Sequence, residues 1–198
     1  GQYVAFVSDA ANLVASDNNG ARDVFWRDRV SGTPRLVSRT PAGASGNNES
    51  DAPVISADGR YVAFHSRASD LVAGDTNAGY DVFLWDAQDN SVTLVSRTAT
   101  GASGAGDSFV PRLSANGRVV AFLSLAGNLV PNDTNETTDA FAYNLDTAVM
   151  SLASVNTNGQ SGNGFTGVPA LSADGRHVAF VSRATDLDPK FLEPEYPF

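Results

Sequence analysis

The chain has 198 residues, a formal net charge of −9, 42% hydrophobic residues and no cysteine. This length fits one globular unit, and the lack of cysteine excludes disulfides, thiolate metal sites and a cysteine nucleophile. The acidic balance argues against nucleic acid as a partner, and no apolar run approaches the ~20 residues of a membrane span. The chain starts at Gly1 and its single methionine is Met150. We therefore expect a mature or excised piece of a protein.

A short apolar run recurs every 58 residues. The run Tyr-Val-Ala-Phe at 3–6 returns at 61–64, and related runs stand at 119–122 and 177–180. No insertion interrupts this spacing, so the chain divides into repeats 1–58, 59–116 and 117–174 and the start of a fourth, 175–187. A fixed period of this kind indicates a repeat architecture. The chain holds about 3.4 such units.

Each repeat contains four strand signals. In the second repeat the first of them, Tyr61–Ser66, is apolar on both faces, as expected of a strand packed between neighbours. It is followed by the β-rich runs Asp81–Asp86, Val92–Arg97 and Val110–Ala115. No stretch has helical periodicity. These signals predict an all-β chain of four-stranded antiparallel units.

An Asn-Gly or Asp-Gly pair joins the fourth run of one repeat to the first run of the next. The pairs are Asp58-Gly59, Asn116-Gly117 and Asp174-Gly175. Such pairs favour the two positive φ angles of a type I′ turn. We therefore predict a tight hairpin at each of these positions.

The residues around these hairpins resemble a known repeat. The pattern Pro-x-x-Ser-Ala-Asp/Asn-Gly-Arg-x-Val-Ala-Phe at 53–64, 111–122 and 169–180 is similar to the TolB-like (WD40-like) β-propeller repeat. This resemblance implies that the Pro-x-x-Ser strand is innermost in each blade and that the Val-Ala-Phe strand lies next to it. It also implies a bacterial protein that is periplasmic or secreted.

The number of repeats does not fit a closed ring. Propellers close with roughly four to eight blades, whereas this chain supplies about 3.4. Residues 4–7 would lack an inner partner strand, and residues 178–182 would lack an outer one. We expect the chain either to form a homo-oligomer through these open blade edges or to belong to a longer propeller. Two copies would supply about 6.8 repeats.

The C-terminal segment 188–198 departs from the repeat and contains three prolines, which exclude a central strand. It is either a loosely held terminus or a cover for an open edge. In the second case Phe191, Leu192, Tyr196 and Phe198 would make the contact.

Catalytic motifs are scarce. His65 and His177 occupy different repeat positions and are interpreted as strand or surface histidines. The glycine-rich segments 43–46, 101–104 and 159–162 lack the lysine and helix of a phosphate loop, so we interpret them as flexible crossings between blades. The recurring phenylalanines predict core packing. Trp26 and Trp85 occupy adjacent repeat positions, from which we expect at least one to face outward near a rim.

One polar constellation recurs in all three complete repeats, with the spacing Asp-x-Asn-x-x-x-Asp. Its members are Asp17, Asn19, Asp23, Asp75, Asn77, Asp81, Asp133, Asn135 and Asp139. Several hard oxygens in one loop suit Ca²⁺. The alternative is metal-free, with the first aspartate forming an Asx-turn and the last accepting hydrogen bonds from loop amides. The sequence leaves both interpretations open.

We therefore expect a non-catalytic interaction or structural module with a protein partner and no cofactor other than Ca²⁺. The competing class is the propeller portion of a hydrolase or lyase whose catalytic residues lie outside this segment. A carboxylate pair or a histidine cluster at the channel mouth would favour the enzyme. Fold alone does not separate the two, because propellers host both kinds of function.

Overall fold

The computed structural model describes residues 1–188, and the fold within this range is all-β, as predicted. The strands are β1 Tyr3–Ser8, β2 Asp23–Asp28, β3 Pro34–Leu36, β4 Ser50–Ile55, β5 Tyr61–Ser66, β6 Asp81–Asp86, β7 Val92–Leu94, β8 Ser108–Leu113, β9 Val119–Ser124, β10 Asp139–Asn144, β11 Val149–Leu152, β12 Ala170–Leu171 and β13 Val178–Ala179. Residues 189–198 lie outside the described residues, and so do Phe191, Leu192, Tyr196 and Phe198, for which we predicted either a loosely held terminus or a cover for an open edge. No helix within 1–188 is long and apolar enough to cross a membrane.

The strands form four antiparallel sheets, which we number as blades in chain order. Blade 1 holds β1-β2-β3, blade 2 holds β4-β5-β6-β7, blade 3 holds β8-β9-β10-β11, and blade 4 holds β12-β13. Blades 2 and 3 have the predicted strand order. Blade 1 therefore lacks the first strand of the pattern, and blade 4 has only its first two strands within the described residues.

Two strands, β7 and β8, have bounds that differ from the predicted ones. The inner strand β8 begins at Ser108, two residues before the predicted start. A bulge between Phe109 and Arg112 interrupts its pairing with β9, and β8 pairs with β9 on both sides of this bulge. The outer strand β7 ends at Leu94. The amides of Val95 and Ser96 both donate to one carbonyl, that of Val82, so the chain leaves the regular ladder there and crosses to the next blade.

The hydrophobic core lies between blades. Alternate residues of β6 belong to two different clusters: Phe83 and Trp85 pack against blade 1, while Val82 and Leu84 pack against blade 3. This follows from the two-residue period of a strand. Equivalent phenylalanines of neighbouring strands stack at 5.6–5.8 Å between ring centroids. The central sheets are thus buried on both faces.

The expectation that Trp26 or Trp85 faces outward was wrong. Their exposures are 8% and 0%, and their ring centroids lie 5.9 Å apart in the same interface between blades 1 and 2. Adjacent positions of a strand point to opposite faces, and opposite faces of neighbouring blades meet. Two tryptophans one repeat position apart therefore share one interface.

The hairpins are not type I′ turns. Of the Asp58-Gly59 pair only Gly59 has a positive φ, 76°, and its amide donates to the carbonyl of Ser56 at 3.0 Å. A type I′ turn needs positive φ at both central residues. The loop between β4 and β5 spans residues 56–60 and is therefore longer than a two-residue turn. The Ser56 hydroxyl stabilises it, because it donates to the Asp58 carboxylate at 2.6 Å and accepts the amide of Tyr61 at 2.9 Å.

The inner turns of successive blades are linked by backbone hydrogen bonds. The amide of Ala57 donates to the carbonyl of Ala115, and the amide of Ala115 donates to the carbonyl of Ala173, both at 2.9 Å. These alanines occupy the same repeat position. We call this series the inner hydrogen-bond chain.

Candidate functional site

The recurrent polar residues lie in the loops that join β1 to β2, β5 to β6 and β9 to β10, at residues 9–22, 67–80 and 125–138. In blade 2 the Asn77 side chain accepts the amide of Gly79 at 2.8 Å and donates to the carbonyl of Gly104 at 2.7 Å. The Ser103 hydroxyl accepts the amides of Thr76 and Asn77. The glycine-rich crossing is therefore held against the polar loop by specific hydrogen bonds.

The same arrangement recurs in the other two complete repeats. Asn19 and Asn135 make the equivalent bonds to the glycine carbonyls, at 2.8 and 2.6 Å. Each also accepts the backbone amide two residues further along the chain, at 2.8 Å. The asparagine thus closes an Asx-turn, and both ends of its amide have partners within the protein.

The aspartates form three pairs, which we call the acidic pairs: Asp17 with Asp23, Asp75 with Asp81, and Asp133 with Asp139. The second member of each pair is fully buried, and the first is 6–9% exposed. Burial of the second member follows from its position, since it is the first residue of β2, β6 or β10, and each of these strands begins with a run of buried residues.

One serine hydroxyl holds each of the fully buried aspartates. Asp81 Oδ1 accepts the hydroxyl of Ser96 at 2.5 Å, and that hydroxyl accepts the amide of Val82 at 3.0 Å. Ser38 and Ser154 do the same for Asp23 and Asp139, at 2.5 and 2.6 Å. The sequence reasoning missed these serines, although their recurrence every 58 residues was a usable signal.

Seven of the nine remaining carboxylate oxygens of the acidic pairs lack partners among the described residues. Within residues 1–188, no hydrogen-bond donor reaches one carboxylate oxygen of each fully buried aspartate, and each first member also has at least one unpartnered buried oxygen. These atoms are Oδ1 and Oδ2 of Asp17, Oδ2 of Asp23, Oδ1 of Asp75, Oδ2 of Asp81, Oδ1 of Asp133 and Oδ2 of Asp139. Buried polar atoms in folded proteins normally have partners, so seven such atoms in three equivalent places need an explanation.

Burial makes the charged form of these carboxylates unfavourable. It raises the pKa of Asp81 from 3.8 to about 7, with further contributions from the negative charges of Asp75 and Asp107, while the Ser96 hydroxyl and the Asn77 amide oppose the rise. Burial likewise raises the pKa of Asp23 to about 6, with a contribution from Asp17.

The third pair behaves in the same way. Burial raises the pKa of Asp139 and that of Asp133, and the charge of Asp139 adds to the second shift. Each pair therefore places two mutually repelling carboxylates in a site that water barely reaches. Within the part of the chain described, no three acidic, histidine or cysteine side chains come together as a metal cluster. Any further ligands at the pairs would be uncharged oxygens.

A second polar group surrounds His65 near the inner strands. Its Nδ1 accepts the amide of Val110 at 3.3 Å, and its ring lies edge-on to that of Tyr80 at 5.2 Å. Burial lowers the pKa of His65, although the charges of Asp51 and Glu49 oppose the shift. His177 is exposed and lies in blade 4. Among the described residues the two histidines are therefore far apart in the fold, and the polar residues around His65 do not form the histidine cluster that would favour an enzyme.

A scan against protein-family models gave no match, and a search of curated proteins gave none either. Among solved structures, the tricorn protease is 12% identical with a TM-score of 0.55, covering 91% of this chain and 14% of its own. A TolB protein from Agrobacterium tumefaciens is 17% identical with a TM-score of 0.48, covering 77% and 45%. A prolyl endopeptidase is 16% identical with a TM-score of 0.49, covering 81% and 22%.

These findings define the fold. The radial blades and the similarity to the tricorn protease show that the chain is a β-propeller segment. The strand order within blades 2 and 3 is the one expected for a TolB-like propeller. The TolB-like fold predicted from the repeat pattern is therefore confirmed. The chain spans less than half the length of each of these solved structures.

Proposed function

We propose that the chain is a non-catalytic interaction or structural module whose propeller ring is completed either by a second copy or by further blades of a longer chain. The observation that carries this proposal is the incomplete pairing of the terminal blades. β1 has no inner strand, and β13 has no outer strand among the described residues. Bare strand edges pair readily with other strands.

The exposed side chains at these edges support the proposal. Val4 and Val7 of β1 are 40% and 37% exposed. On blade 4, Phe165, Val168 and Val181 are 48%, 46% and 74% exposed. Val62 and Val120, which occupy the position of Val4 in blades 2 and 3, are completely buried in interblade clusters. Ring completion would give the terminal blades the same cover.

The strand inventory indicates how two ends would join. Blade 4 supplies an inner strand, β12, which blade 1 lacks, while blade 1 supplies the outer strands that blade 4 lacks. Both ends carry a second strand, β1 and β13. β13 pairs with β12 at Ala170 with Ala179 and at Leu171 with Val178, and a bridge between Thr166 and Ser182 continues this pairing beyond the two strands. Because β1 and β13 hold the same position in a blade, we propose that β1 of the next copy displaces β13 and completes a composite blade.

The first prediction tests this association. Light scattering at micromolar concentration should give the mass of a dimer, and Val7→Asp should reduce the mass to that of a monomer by placing a charge at the β1 edge. Val30→Asp is the matched control, because Val30 is 82% exposed in the turn between β2 and β3 and should leave the dimer intact. A stable, well-folded monomer of the unaltered chain would contradict completion by a second copy.

The alternative is the propeller portion of a hydrolase. It is favoured by the similarity to the tricorn protease, of which this chain matches only 14%. In that case the catalytic residues lie outside residues 1–198, and the polar residues around His65 form part of the wall of the propeller channel. Peptidase activity in a longer parent chain, absent from residues 1–198 alone, would support the alternative.

We also propose that the protein works outside the cytoplasm, in the periplasm or as a secreted protein. The resemblance of its repeats to TolB-like repeats supports this location. Fractionation of the source cells with an antibody against the chain tests it, and recovery only with cytoplasmic markers would contradict it.

A further inference from the structure

We propose that the three acidic pairs are Ca²⁺ sites that stabilise the β1–β2, β5–β6 and β9–β10 loops. This inference is independent of how the ring is completed. It starts from the seven unpartnered carboxylate oxygens, which are confined to six aspartates at two repeat positions. A divalent cation placed between the members of a pair would satisfy those oxygens and neutralise both charges.

The chemistry of the pairs favours Ca²⁺ over other metals. The groups at each pair are carboxylates, hydroxyls and amides, and no histidine or cysteine is among their hydrogen-bond or charge partners. Hard oxygen donors suit Ca²⁺ and Mg²⁺ rather than zinc or copper. Ca²⁺ also accepts irregular sets of six to eight oxygens that include backbone carbonyls and water, whereas Mg²⁺ requires a near-ideal octahedron and retains several waters.

The structure also reduces the predicted ligand set. The amide oxygens of Asn19, Asn77 and Asn135 each accept a backbone amide, so these residues shape the loop and the aspartates bind the ion. Two further carboxylates, those of Asp70 and Asp107, lie close enough to the second pair to add negative charge there. We expect this site to bind Ca²⁺ most tightly.

A rival explanation is that each pair shares a proton. Two buried carboxylates can hold one proton between them, and both members of each pair are buried. The two explanations differ in their response to calcium. A shared proton predicts no calcium response, whereas a metal site predicts that calcium stabilises the fold.

The experiment is calcium titration of the full chain after treatment with a chelator. Calorimetry at pH 8 should give about three Ca²⁺ per chain, and 1 mM CaCl₂ should raise Tm by at least ~5 °C, because the unfolded chain separates the ligands. MgCl₂ at the same concentration should raise it much less. Equal shifts with both salts, or no shift with either, would overturn the proposal.

Variants locate the sites. Asp75→Asn should reduce the stoichiometry from three to two while leaving the other sites intact. Asp89→Asn, which removes an exposed aspartate of the same repeat, should leave it at three. If Asp75→Asn did not fold, Asp133→Asn would report on the third site in the same way. Unchanged stoichiometry in a folded variant would overturn the assignment. These outcomes do not depend on the mass of the assembly, so the proposed ring completion is judged separately.

Discussion

Replacing Asp81 by asparagine should stabilise the metal-free protein at alkaline pH, although the residue is completely buried. The substitution keeps the shape of the side chain and an oxygen that can accept the Ser96 hydroxyl. It removes a buried charge and adds an N–H group beside Asp75, whose Oδ1 has no partner among the described residues. The direction of the effect follows from the raised pKa of Asp81.

The size of the effect follows from the same shift. The pKa of Asp81 is raised from 3.8 to about 7 in the folded protein, and one pKa unit corresponds to about 1.36 kcal/mol. A raised folded-state pKa means that the aspartate's contribution is fully present below 3.8 and is lost as the pH rises through about 7. The upper limit of this loss is about 4 kcal/mol. We expect Asp81→Asn to unfold with a free energy about 2–4 kcal/mol higher than the unaltered chain at pH 8.

Urea denaturation with a chelator present measures this difference. Emission from the buried Trp26 and Trp85 reports unfolding of the interface between blades 1 and 2. The gain for Asp81→Asn should be largest at pH 8 and should vanish near pH 4, while the control Asp89→Asn should change little at either pH. A variant that is less stable than the parent by the same amount at both pH values would refute the reasoning, because a pH-independent loss would show that the carboxylate is not penalised in the fold.

Two further substitutions test the packing between blades. Trp85→Ala should lower the free energy of unfolding by roughly 3–5 kcal/mol in a urea titration, because it opens a cavity in a fully buried cluster. The control Val30→Ala, in an exposed turn, should change this free energy little. Equal effects of the two substitutions would contradict a core between blades 1 and 2. Gly59→Ala should lower Tm more than Gly20→Ala, because both glycines have positive φ but only at Gly59 would the added Cβ lie 2.0 Å from the Tyr3 ring. Gly20→Ala carries only the cost of a left-handed backbone conformation, about 1–2 kcal/mol, and equal losses in the two variants would show that the inner turn does not pack against blade 1.

The repeat made the blade predictable. Residues that recur every 58 positions, such as Phe64 and Phe122, report requirements of the repeating unit, and the apolar residues on both faces of Tyr61–Ser66 already indicated a strand packed between neighbours. Trp26 and Trp85 were misjudged because comparing repeat positions within one blade does not show which faces of two blades meet. That relation is a property of the assembled sheets.

The acidic loops were only partly predictable. Their spacing drew attention to the aspartates and asparagines, but the sequence did not show that Asn77 closes an Asx-turn of its own. That turn depends on Gly104, which lies 27 residues further along the chain and supplies the carbonyl for the asparagine amide. Burial of Asp81 likewise depends on the neighbouring blades.

The inner hydrogen-bond chain gives the segment a direction. Each inner turn donates its alanine amide to the turn of the following blade, so within the described residues the series starts with the unused carbonyl of Ala57 and ends with the unused amide of Ala173. One end is thus an acceptor and the other a donor, and two identical ends cannot satisfy each other. Copies of this chain would have to associate head to tail, a heterologous contact that closes into a ring when the rotation fits and continues as a filament when it does not. The angle between successive blades therefore decides between a discrete dimer and a fibre.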